Sequence, residues 1–312
     1  MKLSRFQSLN LLDVDFNEYD LVLMASGFEE RARFILSQIG SVPASRLVVF
    51  GFDNDRDKLS RLSNDAEFRR YGAEPLVFSD AEDYEKVLRS ELLRASQRAG
   101  ASRAVRIFVD YSVMTRAWYG YILTWLKYSS NRGSVDVDFA YAHGKYSGEF
   151  QPLRIREISA IPGFEGACVS TRSTVAAFGL GFDRYALLAV YEQIEPDSLF
   201  CFLAQERLSD EGAGQAVARN QEIISISGVP PVMVPLGDLE ETYRILHEEF
   251  SRQDGSSEIV AVPMGPKPHV LTCLLLAQAI PRVTCLHAKG YRSEPVQVEA
   301  TGTVSLWRLS YR

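Results

Sequence analysis

Short apolar runs alternate with helix-patterned segments along nearly the whole chain, and no other feature limits its possible folds so sharply. LVLMAS (21–26) is almost wholly apolar, and Phe28, Ala32, Ile35, Leu36 and Ile39 then recur at helical spacing, so a strand feeds a helix over about 28–39. The alternation continues through RLVVFGF (46–52), a polar helix around 57–71, EPLVFS (74–79) and a helix over about 82–99. AVRIFVD (104–110), an aromatic helix over 114–128 and VDVDFAYA (135–142) complete the set. Strands joined by helices, several apolar at most positions, point to a parallel sheet covered on both faces, because a strand with one wet face alternates.

The same order then recurs. STVAAFG (173–179) precedes a helix over 182–194, SLFCFLA (198–204) a helix near 213–225, and PPVMVP (230–235) the helix DLEETYRILHEEFSRQ. EIVAVP (258–263) leads into a helix at 268–280, and RVTCLHA (282–288) closes the series. Local matches fall at equivalent places. Gly27-Phe28-Glu29 with Arg31 follows the first strand of one half, and Gly181-Phe182-Asp183-Arg184 follows that of the other. Val109 and Val262, at the fourth strand ends, lie 82 and 81 residues beyond Gly27 and Gly181. After the fifth strands His143-Gly144-Lys145-Tyr146 matches His287-Ala288-Lys289-Gly290-Tyr291. The alternating segments PLRIREI (152–158) and PVQVEAT (295–301) then read as an antiparallel strand or hairpin added to each half.

The expected fold is therefore α/β: two tandem Rossmann-like three-layer domains with mostly parallel sheets, residues 1–163 and 164–312, produced by internal duplication and related by a pseudo-twofold axis. A length of 312 residues fits two domains of about 150 each.

Thirty-four basic against forty acidic side chains give a net charge of -6, which argues against general double-stranded DNA binding. MKLSRFQSLNLLDVDFNEYD lacks an uninterrupted apolar signal core, and the longest apolar stretches, such as VLTCLLLAQAI, fall short of the ~20 residues that cross a bilayer. Neither secretion nor a membrane association is expected. Cys168, Cys201, Cys273 and Cys285 form no C-x-x-C pair, so unpaired thiols in a reducing cytoplasm are expected.

In open parallel sheets, ligands bind beyond the carboxyl ends of strands, where helix N-termini present N–H groups. The repeated motifs lie at such ends. In Met264-Gly265-Pro266-Lys267-Pro268-His269, Gly265 permits a tight turn, the prolines open a helix, and Lys267 adds a cation, so an anionic oxygen fits there beside His269. The alternative is a rigid turn with Lys267 and His269 solvated. In the counterpart Asp110-Tyr111-Ser112-Val113-Met114-Thr115-Arg116, capping alone explains Ser112 and Thr115. A charge at a strand end is costly if buried unpaired, so Asp110 or Arg116 is expected to face the ligand cleft. At Ser26-Gly27-Phe28-Glu29 the acids suit a helix start, whereas Arg31 and Arg184 oppose the dipole and either pair with neighbouring acids or reach a bound anion.

Other patterns carry less. His143, His269 and His287 lie beside strand ends without metal-ligand spacing, so polar ligand contacts are expected rather than a metal, and no cofactor is implied. Asp53-Asn54-Asp55-Arg56-Asp57 lacks the glycine and glutamate of a calcium loop, and Gly212-Ala213-Gly214 lacks the third glycine of a dinucleotide fingerprint. No G-x-S-x-G or H-E-x-x-H occurs. Trp118, Tyr119, Tyr121 and Trp125 have the chemistry to stack bases, but aromatics at helical spacing usually build core or an inter-domain seam, and the seam is the default expectation.

Gly265-Pro266-Lys267-Pro268-His269 resembles the glycine-threonine-lysine-proline-methionine turn after the fourth strand of the CARF (CRISPR-associated Rossmann fold) group of nucleotide-sensing domains, and Ser26-Gly27 stands where that group has its first polar turn. Proline precedes Lys267 where the group has threonine, and the first half carries Ser112-Val113-Met114-Thr115-Arg116 instead, which implies a differently tuned pocket. The resemblance implies a cytoplasmic sensor or regulatory subunit that binds a nucleotide or short oligonucleotide in the cleft between the halves, in bacterial antiviral defence. No appended helical or winged-helix effector is read in the sequence, so the output is expected to come from the tandem domain itself or from a protein partner. Two alternatives use the same chain differently. One is a phosphodiesterase or nucleotide hydrolase in which Lys267 stabilises charge and His269 or His143 transfers protons. The other is an assembly subunit with a vestigial pocket.

Overall fold

Backbone polar groups in a buried apolar run need partners along their whole length, and pairing into a sheet supplies them. The computed structural model describes residues 1–78, 81–128, 133–147, 151–167, 172–205 and 211–312, with the backbone alone at 81, 82 and 211. In the first part of the chain the strands are β1 (Leu3–Leu9), β2 (Leu21–Ser26), β3 (Leu47–Phe52), β4 (Leu76–Phe78), β5 (Val105–Asp110) and β6 (Val135–Ser147). The helices between them are α1 (Phe34–Gln38), α2 (Arg61–Arg70), α3 (Ala81–Ala99) and α4 (Arg116–Tyr128). There follow β7 (Arg154–Ala160), β8 (Thr174–Leu180), α5 (Arg184–Ile194), β9 (Ser198–Gln205), α6 (Glu211–Arg219) and α7 (Gln221–Ser227). The chain ends with β10 (Val232–Pro235), α8 (Leu239–Arg252), β11 (Glu258–Pro263), α9 (Lys267–Ala279), β12 (Val283–Tyr291) and β13 (Gln297–Tyr311).

The chain forms two mostly parallel sheets, ordered β1-β13-β6-β5-β2-β3-β4 and β10-β9-β8-β11-β12-β7. Counted within each repeat, both have the order third-second-first-fourth-fifth, so the α/β, Rossmann-like expectation holds for both halves. The order reverses between β2 and β5 and between β8 and β11, which is where open α/β sheets leave a crevice. β2 is buried at all six positions, as its apolar run requires.

The sixth strands depart from the sequence reading. PLRIREI forms most of β7, but β7 pairs antiparallel with β12, from His287↔Ser159 to Tyr291↔Arg154. PVQVEAT opens β13, which pairs antiparallel with β6, from Val298↔Tyr146 to Tyr311↔Val135. Each repeat thus gives its trailing strand to the other repeat's sheet. The compact units are Met1–Glu149 with Glu294–Arg312, and Phe150–Ser293, in place of one cut at 163. Side-chain alternation shows that a segment is a strand and which face is wet, but the ladder is made by backbone groups that every residue carries, so the partner is not encoded locally. The two strands are nonetheless suited to their places. β7 is an edge strand with no fully buried residue, whereas β13 lies between β1 and β6 and buries Leu306, Leu309 and Tyr311.

Smaller differences concern helices. The segment expected as one helix over 28–39 is a 3-10 turn at Glu30–Arg33 followed by the short α1. The helix near 213–225 is divided into α6 and α7 at Asn220. Among the described residues no helix is long and apolar enough to cross a membrane. Cys201, Cys273 and Cys285 are buried free thiols, and Cys168 lies outside the described residues.

Candidate ligand site at the strand ends

In the first unit, polar side chains converge on the carboxyl ends of β2, β5 and β6. Asp110 is 2% exposed, and its Oδ1 accepts hydrogen bonds from the Ser112 amide (3.0 Å) and the Ser112 hydroxyl (2.5 Å). The Ser112 hydroxyl in turn accepts from the Ala142 amide at 2.8 Å. The carbonyl of the same residue, Ala142, accepts from Arg31 Nη1 at 3.1 Å. Arg31 is 5% exposed, pairs with Glu29 at 2.6 Å, donates to the Tyr141 hydroxyl at 3.1 Å and lies 5.3 Å over the Tyr141 ring. Burial opposes its charge, but the Glu29 carboxylate and Tyr141 outweigh burial and hold the guanidinium charged beyond its ordinary value. Gly144 makes this possible, since a Cβ there would stand 2.8 Å from Arg31 Nη1.

Beneath the turn after β2 lies a network that sequence inspection missed. α2 turns Arg61, Asn64, Asp65 and Phe68 inward, a stripe with helical spacing that is polar instead of apolar. Ser26 donates to Asp65, which also pairs with Arg61 Nε at 2.8 Å, and Arg61 Nη1 reaches the Phe52 carbonyl at 2.8 Å. Asn64 Nδ2 donates to the carbonyls of Gly27 and Glu29, both at 2.8 Å. Thr115 caps α4, accepting from the Trp118 amide at 3.3 Å, and Arg116 opens that helix half-buried. Trp118 packs into the core of this unit against Phe50 and Phe52, with ring centroids 5.2 and 4.8 Å apart.

The second unit repeats the plan with different residues. Asn220 Nδ2 donates to the Gly181 carbonyl at 2.7 Å, as Asn64 does to Gly27. The two asparagines lie 39 and 37 residues beyond their glycines, a fourth repeat match that a search at that spacing finds. Both amide oxygens are buried without a protein partner. The turns after β8 and β11 touch backbone to backbone. A Cβ on Gly181 would stand 2.1 Å from the Met264 carbonyl oxygen, and one on Gly265 2.8 Å from that of Leu180, so both positions require glycine.

α9 opens with Pro266 as its cap, no side-chain cap hydrogen bond, no acid in its first turn and Lys267 half-buried at its first position. His269 is wholly buried, 5.9 Å from the Phe202 ring, and burial pulls its pKa down to about 4 against the opposing Pro235 carbonyl. It is therefore a neutral ring at pH 7, enclosed in the protein. His143 is also buried, with Nε2 2.7 Å from the Ser305 hydroxyl. Arg184 is exposed and stacks 4.7 Å over the Tyr185 ring, while the adjacent Asp183 caps α5.

The structure thus brings Ser26, Gly27, Arg31, Asp110 and Ser112 together in one unit, and Gly265, Lys267 and His269 in the other. Among the described residues no group of three or more His, Cys, Asp or Glu side chains is arranged to hold a metal. No protein-family model matches the chain, and a search of curated proteins finds no match.

Proposed function

We propose that the chain is a sensor or regulatory subunit that binds a nucleotide or another phosphate-containing ligand at the carboxyl ends of its parallel strands. The observation that carries this reading is the opening of α9. A 13-residue helix begins beside the strand-order reversal with no capping side chain, no acid in its first turn, and a lysine at its first position. Partial positive charge at a helix N-terminus and an ammonium group there both favour an anion. The resemblance of this turn to that of nucleotide-sensing domains supports the same ligand class and a role in antiviral defence with a separate effector partner. Hydrolysis has no comparable support, because His269 and His143, its two candidate proton carriers, are both buried. Mass spectrometry of small molecules released from the purified protein, with thermal shifts across a nucleotide panel, tests the proposal. The expected result is a copurifying nucleotide or a saturable rise in melting temperature, and the absence of both would refute it.

A further inference from the structure

The exchanged strands do more than complete the sheets. In the first unit Gln297, the first residue of β13, reaches the Gly27-Phe28-Glu29 turn. Its Oε1 accepts from the Glu30 amide at 2.9 Å, and its Nε2 donates to the Ser60 hydroxyl at 2.8 Å. The Ser60 amide in turn donates to the Phe28 carbonyl at 3.1 Å. In the second unit the matching turn is Gly181-Phe182-Asp183, and the segment entering β7 reaches it. The Leu153 amide donates to Asp183 Oδ2 at 2.7 Å. Arg292, just past β12, binds the same oxygen at 3.2 Å and the Gln151 carbonyl at 2.9 Å.

The chemistry differs, but the topology is the same in both units. In the first unit the grip comes from Gln297, on the exchanged strand itself; in the second it comes from the Leu153 amide at the entry of β7, while Arg292, past the end of β12, ties the same aspartate to the Gln151 carbonyl. We propose that Gln297 and Arg292 are positioning residues that latch these turns to the strand given by the other repeat, Gln297 from that strand itself and Arg292 by bridging Asp183 to the Gln151 carbonyl ahead of β7. The Glu30 amide would otherwise face solvent, because Glu30 is exposed and begins a 3-10 turn whose cap makes no side-chain hydrogen bond. An effect on ligand affinity rests on the function proposed above, whereas the latch itself does not.

The test is hydrogen exchange on the full-length protein, compared at peptides covering 28–33 and 181–187. Gln297→Leu removes both the acceptor and the donor, and should speed exchange in 28–33 at least fivefold while leaving 181–187 within twofold of the parent. Arg292→Met should do the converse. Gln297→Glu keeps acceptors for the Glu30 amide and the Ser60 hydroxyl, and should restore exchange in 28–33 to within twofold. A smaller effect of Gln297→Leu, equal loosening of both turns, or failure of Gln297→Glu to restore protection would each overturn the latch. Ser60→Ala removes only the anchor and serves as the milder variant should Gln297→Leu not fold; it should speed exchange in 28–33 more than twofold with 181–187 unchanged, and no increase there would overturn the latch. Thermal shifts with AMP, ATP and inorganic phosphate separate the two ideas. A loosened turn in a protein that none of them stabilises leaves the latch standing and counts against the ligand reading, and an unloosened turn refutes the latch whatever binds.

Discussion

His269 offers the most direct physical test of this structure, because a buried neutral imidazole links folding to pH with a definite sign. Its pKa is about 4 in the folded protein, against an ordinary value of 6.5, and the cause is burial. Between those values the unfolded chain binds a proton that the folded chain refuses, so stability is complete above about pH 6.5 and is lost as pH falls towards 4. At about 1.4 kcal/mol per pKa unit, the loss at pH 4.5 is roughly 2 to 3 kcal/mol. Titrating carboxylates add their own dependence, so the informative quantity is the difference between the parent and His269→Leu, which keeps an apolar side chain of similar size in α9 and cannot titrate. Hydrogen exchange of α9 amides, corrected for intrinsic rates at pH 7 and pH 4.5, reads the second unit directly. Tryptophan fluorescence does not, since Trp118, Trp125 and Trp307 all belong to the first unit. The parent should lose about 2 to 3 kcal/mol more than His269→Leu over this interval. Equal losses would show that the ring is solvated or charged in the folded state, and the enclosed-histidine argument would fail.

Other outcomes follow from particular contacts. Gly181→Ala forces a Cβ to 2.1 Å from a backbone oxygen and should cost about 1–3 kcal/mol or more in urea denaturation, whereas Gly214→Ala, exposed inside α6 with open space around it, should add roughly 0.5–1 kcal/mol. Asn64→Ala removes the side-chain donor to the Gly27 carbonyl and leaves the Glu29 carbonyl only the Ala32 amide, and should cost about 1–3 kcal/mol, with faster hydrogen exchange around the turn as the local signature. Lys267→Ala should weaken binding of a cognate nucleotide by about 1.5–3 kcal/mol in calorimetry. Unchanged affinity would reduce the Gly265–His269 motif to turn chemistry.

Much of the architecture was legible because burial leaves a periodic trace. LVLMAS, AVRIFVD and EIVAVP are apolar enough to belong only inside a covered sheet, and they became β2, β5 and β11. The candidate site was legible only in part. The Gly-Phe turns were visible as repeated motifs, and Asp110, Ser112 and Arg31 do converge. Their supporting network was hidden, because the inward face of α2 carries Arg61, Asn64 and Asp65, and polar residues at helical spacing ordinarily mark a solvated face.

By itself the sequence determined that strands and helices alternate, that the alternation occurs twice, and where each crossover turn lies. These are local matters of hydrophobic period and of glycine or proline at a turn. Tertiary structure alone decided that β7 completes the second sheet and β13 the first, since backbone hydrogen bonds are the same for every strand and the choice of partner rests on the whole chain's packing. It likewise decided that His269 is enclosed, that Arg31 is paired with Glu29, and that Gln297, distant in sequence from Glu30, holds that residue's amide. Each depends on which surfaces meet after the chain has folded, and a one-dimensional pattern does not carry that information.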